Sequence, residues 1–124
     1  MTMTCTRILT VDDSASMRAL LKHALTAEGF VVDQAVDGID ALSRLSVADY
    51  DVVITDINMP NLDGFGLIER VRGQGLHQGR PILVLTTESS DEKKARARAA
   101  GATGWIVKPF DAAKLATAVR RVAH

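Results

Sequence analysis

Five short apolar runs, at residues 8–11, 31–35, 52–55, 82–85 and about 103–107, are each followed by a stretch whose apolar residues recur with helical spacing. That repeated change from period 2 to period 3.6 confines the chain to folds that alternate strand and helix, and so to an α/β fold with a parallel sheet covered on both faces. After the first run, Met17, Leu20, Leu21, Ala24 and Leu25 form a helical stripe, and Gly29 behind Glu28 is a natural stop. Ile39, Leu42 and Leu45 follow Asp37-Gly38, and Phe65, Ile68 and Val71 run to a helix end near Gly73. Residues 73–80 form a Gly-rich connection. The next helix is expected to begin at Ser89, which has capping-box spacing to Glu92, and to stop at Gly101. Leu115, Ala118, Val119 and Val122 mark a closing helix that Asp111 can cap. The runs at 8–11, 52–55 and 82–85 are apolar almost throughout, as central strands are, whereas Val31-Val32-Asp33-Gln34-Ala35 mixes in polar residues and reads as an edge.

The polar residues that end these runs carry the functional signal. Asp12 and Asp13 follow the first, Asp56 the third, Thr86 the fourth and Lys108 the fifth. In an open parallel sheet the ligand crevice lies outside the carboxyl ends of the strands, so three carboxylates, a hydroxyl and an ammonium meet there. Singly, each has an ordinary reading: a strand-end Asp is a helix cap or turn former, a strand-end Thr bonds backbone, and a lysine is solvated. Jointly they do not, because three acids gathered at one sheet edge repel strongly unless a cation shares the site. Oxygen ligands from Asp12 or Asp13, from Asp56 and from a backbone carbonyl suit a hard cation that keeps several waters, which is Mg²⁺. Such a metal with a carboxylate, a hydroxyl and Lys108 suits transfer of a phosphoryl group to an acid side chain. Asp56 would be the nucleophile, with the Lys108 ammonium and the Thr86 hydroxyl on the transferring oxygens.

Bulk properties narrow the classes further. The 124 residues are 47% hydrophobic, enough for one domain with a real core spanning 1–124. Fifteen basic and fifteen acidic side chains cancel, which disfavours nucleic acid or an anionic membrane as partner. Cys5 is the lone cysteine, Met1-Thr2-Met3-Thr4 lacks a signal-peptide pattern, and no apolar run approaches bilayer length, so a soluble cytoplasmic protein is expected. His23 lies off its helix's apolar stripe and His77 in the Gly-rich connection, and neither is a catalytic candidate.

Asp12-Asp13, then Asp56 with Met59-Pro60 and Asp63-Gly64 behind it, then Thr86, then Lys108-Pro109-Phe110, resemble the receiver domain of bacterial response regulators, over essentially the whole chain. The resemblance implies a (βα)5 flavodoxin-like doubly wound sheet of strand order 2-1-3-4-5. It implies Mg²⁺ held by Asp13, Asp56 and the carbonyl of Asn58, with Asp12 assisting through water. It also implies phosphorylation of Asp56 by a histidine kinase, and a cis Lys108-Pro109 bond. Ser16-Met17-Arg18, Glu88 and the segment from Gly101 to Phe110 look most like CheY-type chemotaxis regulators, a branch without an output domain. A transcription factor of the family would continue past His124. Trp105 stands where that branch carries Tyr or Phe.

The same resemblance implies a monomeric signalling phosphoprotein rather than an enzyme, with Thr86 and Trp105 as the switch. Its partners would be a histidine kinase of the CheA type, a flagellar motor switch protein and an auxiliary phosphatase. Lys93, Lys94, Arg96 and Arg98 make the fourth helix locally basic, which suits an acidic partner segment, with Trp105 and Lys114 beside it. Its small side chains bury little area to fix its position. Within the family the rival is a relay intermediate or phosphate sink exchanging phosphoryl with a histidine phosphotransfer protein. Outside it, an aspartyl phosphatase would need an acid where Asn58 stands, and a flavin or dinucleotide carrier would need glycines where Val11 is followed by Asp-Asp-Ser.

Overall fold

The computed structural model describes residues 6–73 and 79–123. The expectations for Met1 to Cys5, for most of the Gly-rich connection with His77, and for His124 lie outside the described residues. Ten elements alternate: β1 (Arg7–Val11), α1 (Ala15–Ala27), β2 (Val31–Ala35), α2 (Gly38–Val47), β3 (Val52–Thr55), α3 (Gly64–Gly73), β4 (Ile82–Thr86), α4 (Asp91–Ala100), β5 (Gly104–Val107) and α5 (Ala112–Val122). All strand pairings are parallel and the order is β2-β1-β3-β4-β5, the flavodoxin-like doubly wound arrangement, with β2 at an edge as its mixed composition predicts.

Successive side chains of a strand point to opposite faces, and the core divides accordingly. Leu9, Val53 and Val84 face α2, α3 and α4, where they meet Ala41, Leu45, Phe65, Ile68 and Ala97. Ile8, Val52, Ile54, Leu83 and Leu85 face α1 and α5, where they meet Leu21, Leu25, Leu115 and Val119. Each side chain of that size contributes about 1.5–3 kcal/mol when fully buried.

Two large apolar residues of the expected stripes lie outside this core. Leu20 is 56% exposed and Ile39 48% exposed. In α1 the buried stripe is Leu21 and Leu25 flanked by Met17, and Leu20 falls beside it. In α2 the rotation is set by Gly38, whose N–H donates to the Leu62 carbonyl and whose missing side chain admits Leu62. With Gly38 inward, Ala41 and Leu45 follow at i+3 and i+7, and Ile39 turns outward.

The start of α4 also departs from expectation. Ser90, not Ser89, is the cap, its hydroxyl accepting from the Lys93 N–H at 3.2 Å. That choice places Asp91 and Glu92 in the first turn, where negative charge favours the N-terminal end of the helix. Ser14, Asp37 and Asp111 cap α1, α2 and α5. At Gly101 the backbone turns left-handed with φ 117°, ending α4 as the sequence predicts.

Near the amino ends of β1 and β3, the buried Tyr50 hydroxyl donates to Asp33 Oδ2 at 2.6 Å, and Arg7 pairs with the same oxygen at 3.0 Å. The Tyr50 bond, followed by Arg7, holds the Asp33 carboxyl below its usual range, while burial and then Asp33 push the Tyr50 phenol up to about 12. Asp33 therefore stabilises the fold above its unfolded pKa and loses that contribution as pH falls through its depressed value. Tyr50 stabilises below about pH 10 and loses its contribution as pH rises towards 12. Tyr50→Phe is expected to cost about 1.5 kcal/mol in urea unfolding at neutral pH. It should also flatten the alkaline limb of stability against pH; an unchanged limb would refute the coupling.

Candidate functional site

Register brings the strand ends together. Val11 pairs with Thr55, so Asp12 and Asp56 leave adjacent strands at the same level, and the Asp56 N–H donates to the Val11 carbonyl at 2.9 Å. This is the point where the chain switches sides, since β2 lies to one side of β1 and β3 to the other. Thr86 pairs with Val107, and the Lys108 N–H donates to the Thr86 carbonyl at 2.8 Å, which starts the lysine from the top of the neighbouring strands.

From there Lys108 reaches inward. Its Nζ lies 2.8 Å from Asp12 Oδ2 and 2.8 Å from Asp56 Oδ2, and its side chain is 10% exposed. Burial, the largest single influence, pushes the ammonium down. The hydrogen bonds to Asp12 and Asp56 and the charges of both together outweigh it and hold its pKa above the usual value. Asp12 is 2% exposed; its Oδ1 accepts from the Ser14 N–H at 2.9 Å and its carbonyl from Arg18 Nη1 at 2.7 Å. Asp56 is partly buried, and its Oδ1 accepts from the Ile57 N–H at 2.6 Å. Asp13 is exposed. Among the described residues, Asp12, Asp13 and Asp56 form the one group of side chains able to hold a metal, each offering an oxygen within 4.8 Å of the others. Three carboxylates against one ammonium leave the cluster net negative, and an all-oxygen donor set of this kind fits a hard divalent cation.

The fold groups the remaining candidates around Glu88, the residue sequence reasoning undervalued. Its N–H donates to Thr86 Oγ1 at 3.4 Å, its backbone carbonyl accepts from Trp105 Nε1 at 3.1 Å, and its carboxylate accepts from Asn58 Nδ2 at 3.2 Å and pairs with Lys93 at 3.0 Å. Lys93, then Asn58, hold the Glu88 carboxyl below its usual range. One residue thus joins Thr86, Trp105, the loop after Asp56 and the start of α4. No spacing rule links positions 58, 88 and 105; only the position of Glu88 two residues past Thr86 hinted at it. Trp105 is partly buried and packs on the core beneath α4.

Of the basic residues on α4, two are engaged within the chain: Lys93 with Glu88, and Arg96, whose guanidinium lies 4.0 Å from the Phe65 ring centroid. Ala97 is the helix's buried residue, consistent with small side chains that fix it weakly. His23 is exposed, as expected. Lys108-Pro109 is cis.

Residues 8–120 match the model of the response regulator receiver domain. The chain belongs to that family. This receiver is 41% identical over 110 residues to chemotaxis protein CheY-3 of Vibrio cholerae serotype O1, an alignment covering 88% of the receiver and 85% of its relative. The solved structure of V. cholerae CheY4 superposes with a TM-score of 0.91 at 44% identity, covering 96% and 99% of the two chains. The receiver of the sensor histidine kinase PA1611 from Pseudomonas aeruginosa PAO1, solved with a magnesium ion coordinated in its active-site cleft, superposes at 0.88 with 27% identity, covering 96% and 98%. No helix among this receiver's described residues is long and apolar enough to cross a membrane.

Proposed function

We propose that the crevice takes up a phosphoryl group on Asp56 from a histidine kinase, with Mg²⁺, and that the chain is a cytoplasmic chemotaxis regulator whose modified form binds the flagellar motor switch. The observation that carries the acceptor reading is Lys108, whose ammonium bridges Asp12 and Asp56 where β1 and β3 diverge. In the transfer, an Asp56 carboxylate oxygen forms the new bond to phosphorus as the bond to the kinase imidazole nitrogen breaks, giving an acyl phosphate. The chain's own groups meet the charge that develops. Lys108 is held next to Asp56 and neutralises one transferring oxygen, and the Thr86 hydroxyl, at the end of the adjacent strand, donates to another. Asp13, Asp56 and the Asn58 carbonyl would hold Mg²⁺, with Asp12 assisting through water. The ion would supply positive charge that lets phosphate approach three acids. Asn58 in place of a carboxylic acid leaves no residue there to protonate a leaving group, which favours a switch over a phosphatase.

A phosphoryl group draws the Thr86 hydroxyl towards it as a donor, and that hydroxyl also accepts a long bond from the Glu88 N–H. Glu88 also carries the bonds to Trp105 and Lys93, so a shift of Thr86 towards phosphate loosens the loop that holds the indole and the start of α4. The similarity to two V. cholerae chemotaxis proteins supports the motor as the target of that altered face. The likeness to a sensor-kinase receiver favours relay or phosphate-sink duty as the second reading.

Trp105 is the only tryptophan, so its emission reads the switch directly. Beryllium fluoride, a phosphoryl mimic, added with Mg²⁺ is expected to shift Trp105 emission in the wild type and leave Asp56→Asn unchanged. An equal shift in both proteins would exclude Asp56 as the acceptor. Tighter binding of the mimic-loaded protein to a motor switch protein than to a histidine phosphotransfer protein would support the chemotaxis role; the reverse order would support relay.

A further inference from the structure

The loop from Asp56 to Asp63 carries both the proposed acceptor and the proposed metal-binding carbonyl, and it is anchored at two places. Near the strand, the Ile57 N–H donates to Asp56 Oδ1 at 2.6 Å and the Ile57 carbonyl accepts from the Gly64 N–H at 2.9 Å. The far anchor lies outside the crevice. Asn61 occupies the left-handed region with φ 68°, and its side-chain nitrogen donates to Asp37 Oδ2 at 2.7 Å. The other oxygen of Asp37 accepts from the Asp40 N–H at 2.8 Å and caps α2.

Asp37 is an acid buried to 8% exposure with both oxygens engaged, and the Asp40 N–H, then Asn61, hold its carboxyl below the usual range. The adjacent Gly38 N–H donates to the Leu62 carbonyl at 3.1 Å. A Cβ at Gly38 would lie 2.6 Å from that carbonyl oxygen, so the two backbones are in direct contact. Asn58 sits between the two anchors.

We propose that Asp37 and Asn61 form a clamp that presets the Asn58 carbonyl for the metal, which makes both of them positioning residues for phosphoryl uptake. The inference rests on the reading of the crevice given above. A carbonyl on an untethered loop must be ordered when the ion binds, and that ordering weakens affinity; a loop tied to the first turn of α2 is ordered beforehand. A plain cap needs one acceptor oxygen. Asp37 spends its second on a residue 24 positions away, in the loop that holds the acceptor.

Two variants cut the clamp from either side with little damage elsewhere. Asn61→Gly keeps the left-handed backbone and removes the donor. Asp37→Ser keeps a capping oxygen and removes the second acceptor. Mg²⁺ affinity of the whole chain, measured by titration calorimetry, is expected to fall about tenfold in each, the range for supporting residues around a metal. The double variant should be no weaker than either single, because both remove one bond. Without metal, the Gly38 amide should exchange its hydrogen faster in Asn61→Gly while the melting temperature stays near wild type. Unchanged Mg²⁺ affinity in Asn61→Gly, or losses that multiply in the double variant, would overturn the clamp. A wild type that binds no Mg²⁺ would overturn the reading of the crevice itself, and the clamp's role with it.

Discussion

Asp56→Asn is expected to abolish covalent phosphoryl incorporation from a small acyl-phosphate donor and Mg²⁺, read as loss of the added phosphoryl mass on the intact protein. An amide oxygen does not replace a carboxylate as nucleophile, so the loss should be complete. Lys108→Met separates charge stabilisation from bond formation. Asp56 remains, and uptake is expected to slow by about 10²- to 10³-fold, the scale for removing one preorganised charge partner. The same change leaves Asp12, at 2% exposure, without its ammonium, and should lower metal-free stability by about 3 kcal/mol. Asp56→Asn leaves that Asp12 pair in place and takes one carboxylate out of the cluster, so its stability should not fall. Uptake by Lys108→Met at the wild-type rate would remove the lysine from the chemistry, and label retained by Asp56→Asn would move the acceptor elsewhere.

Among the described glycines, Gly64→Ala should have the largest structural effect of an added methyl group. A Cβ there would overlap the Asp56 carbonyl oxygen and lie 2.8 Å from Ile57 Cα, and both obstacles are backbone that cannot rotate away. Relief requires the first turn of α3 to move from the end of β3, breaking the Gly64 N–H bond to the Ile57 carbonyl. The expected cost is about 3 kcal/mol, a fall in melting temperature of roughly 10 °C. Because the displaced atoms belong to the proposed acceptor and its neighbour, Mg²⁺ binding and phosphoryl uptake should weaken in the same variant. An unchanged melting temperature would mean that the loop accommodates the methyl group. Gly66→Ala is the internal comparison: its nearest obstacle is the Leu62 side chain, which can turn aside, so the fall in melting temperature should be smaller.

The architecture was legible in the chain because strands and helices leave different periods, and because glycines at 29, 73 and 101 and the capping acid at 111 punctuate them. Placement of Asp12, Asp13, Asp56, Thr86 and Lys108 at strand ends was equally legible. Once the sheet is parallel, every strand's carboxyl end points to the same side, and the crevice follows from topology alone. The family pattern added the Asn58 carbonyl as a proposed metal ligand, a role that no side-chain chemistry could have indicated.

Packing decided what periodicity could not. Periodicity marks a stripe without fixing its width, so Leu20 and Ile39 entered the expected stripes and lie outside the core, the second because Gly38 must meet Leu62. Capping-box spacing pointed to Ser89 as the start of α4, and its neighbour Ser90 is the cap, with Asp91 and Glu92 opening the first turn. Tertiary structure alone decided that Lys108 spans to Asp12 across 96 positions, that Glu88 ties Thr86, Asn58, Lys93 and Trp105 together, and that Asp37 holds Asn61. The physical reason is common to all three. Local sequence sets backbone conformation through sterics and capping, with a range of a few residues, whereas a side chain's partner depends on register and loop closure over the whole sheet.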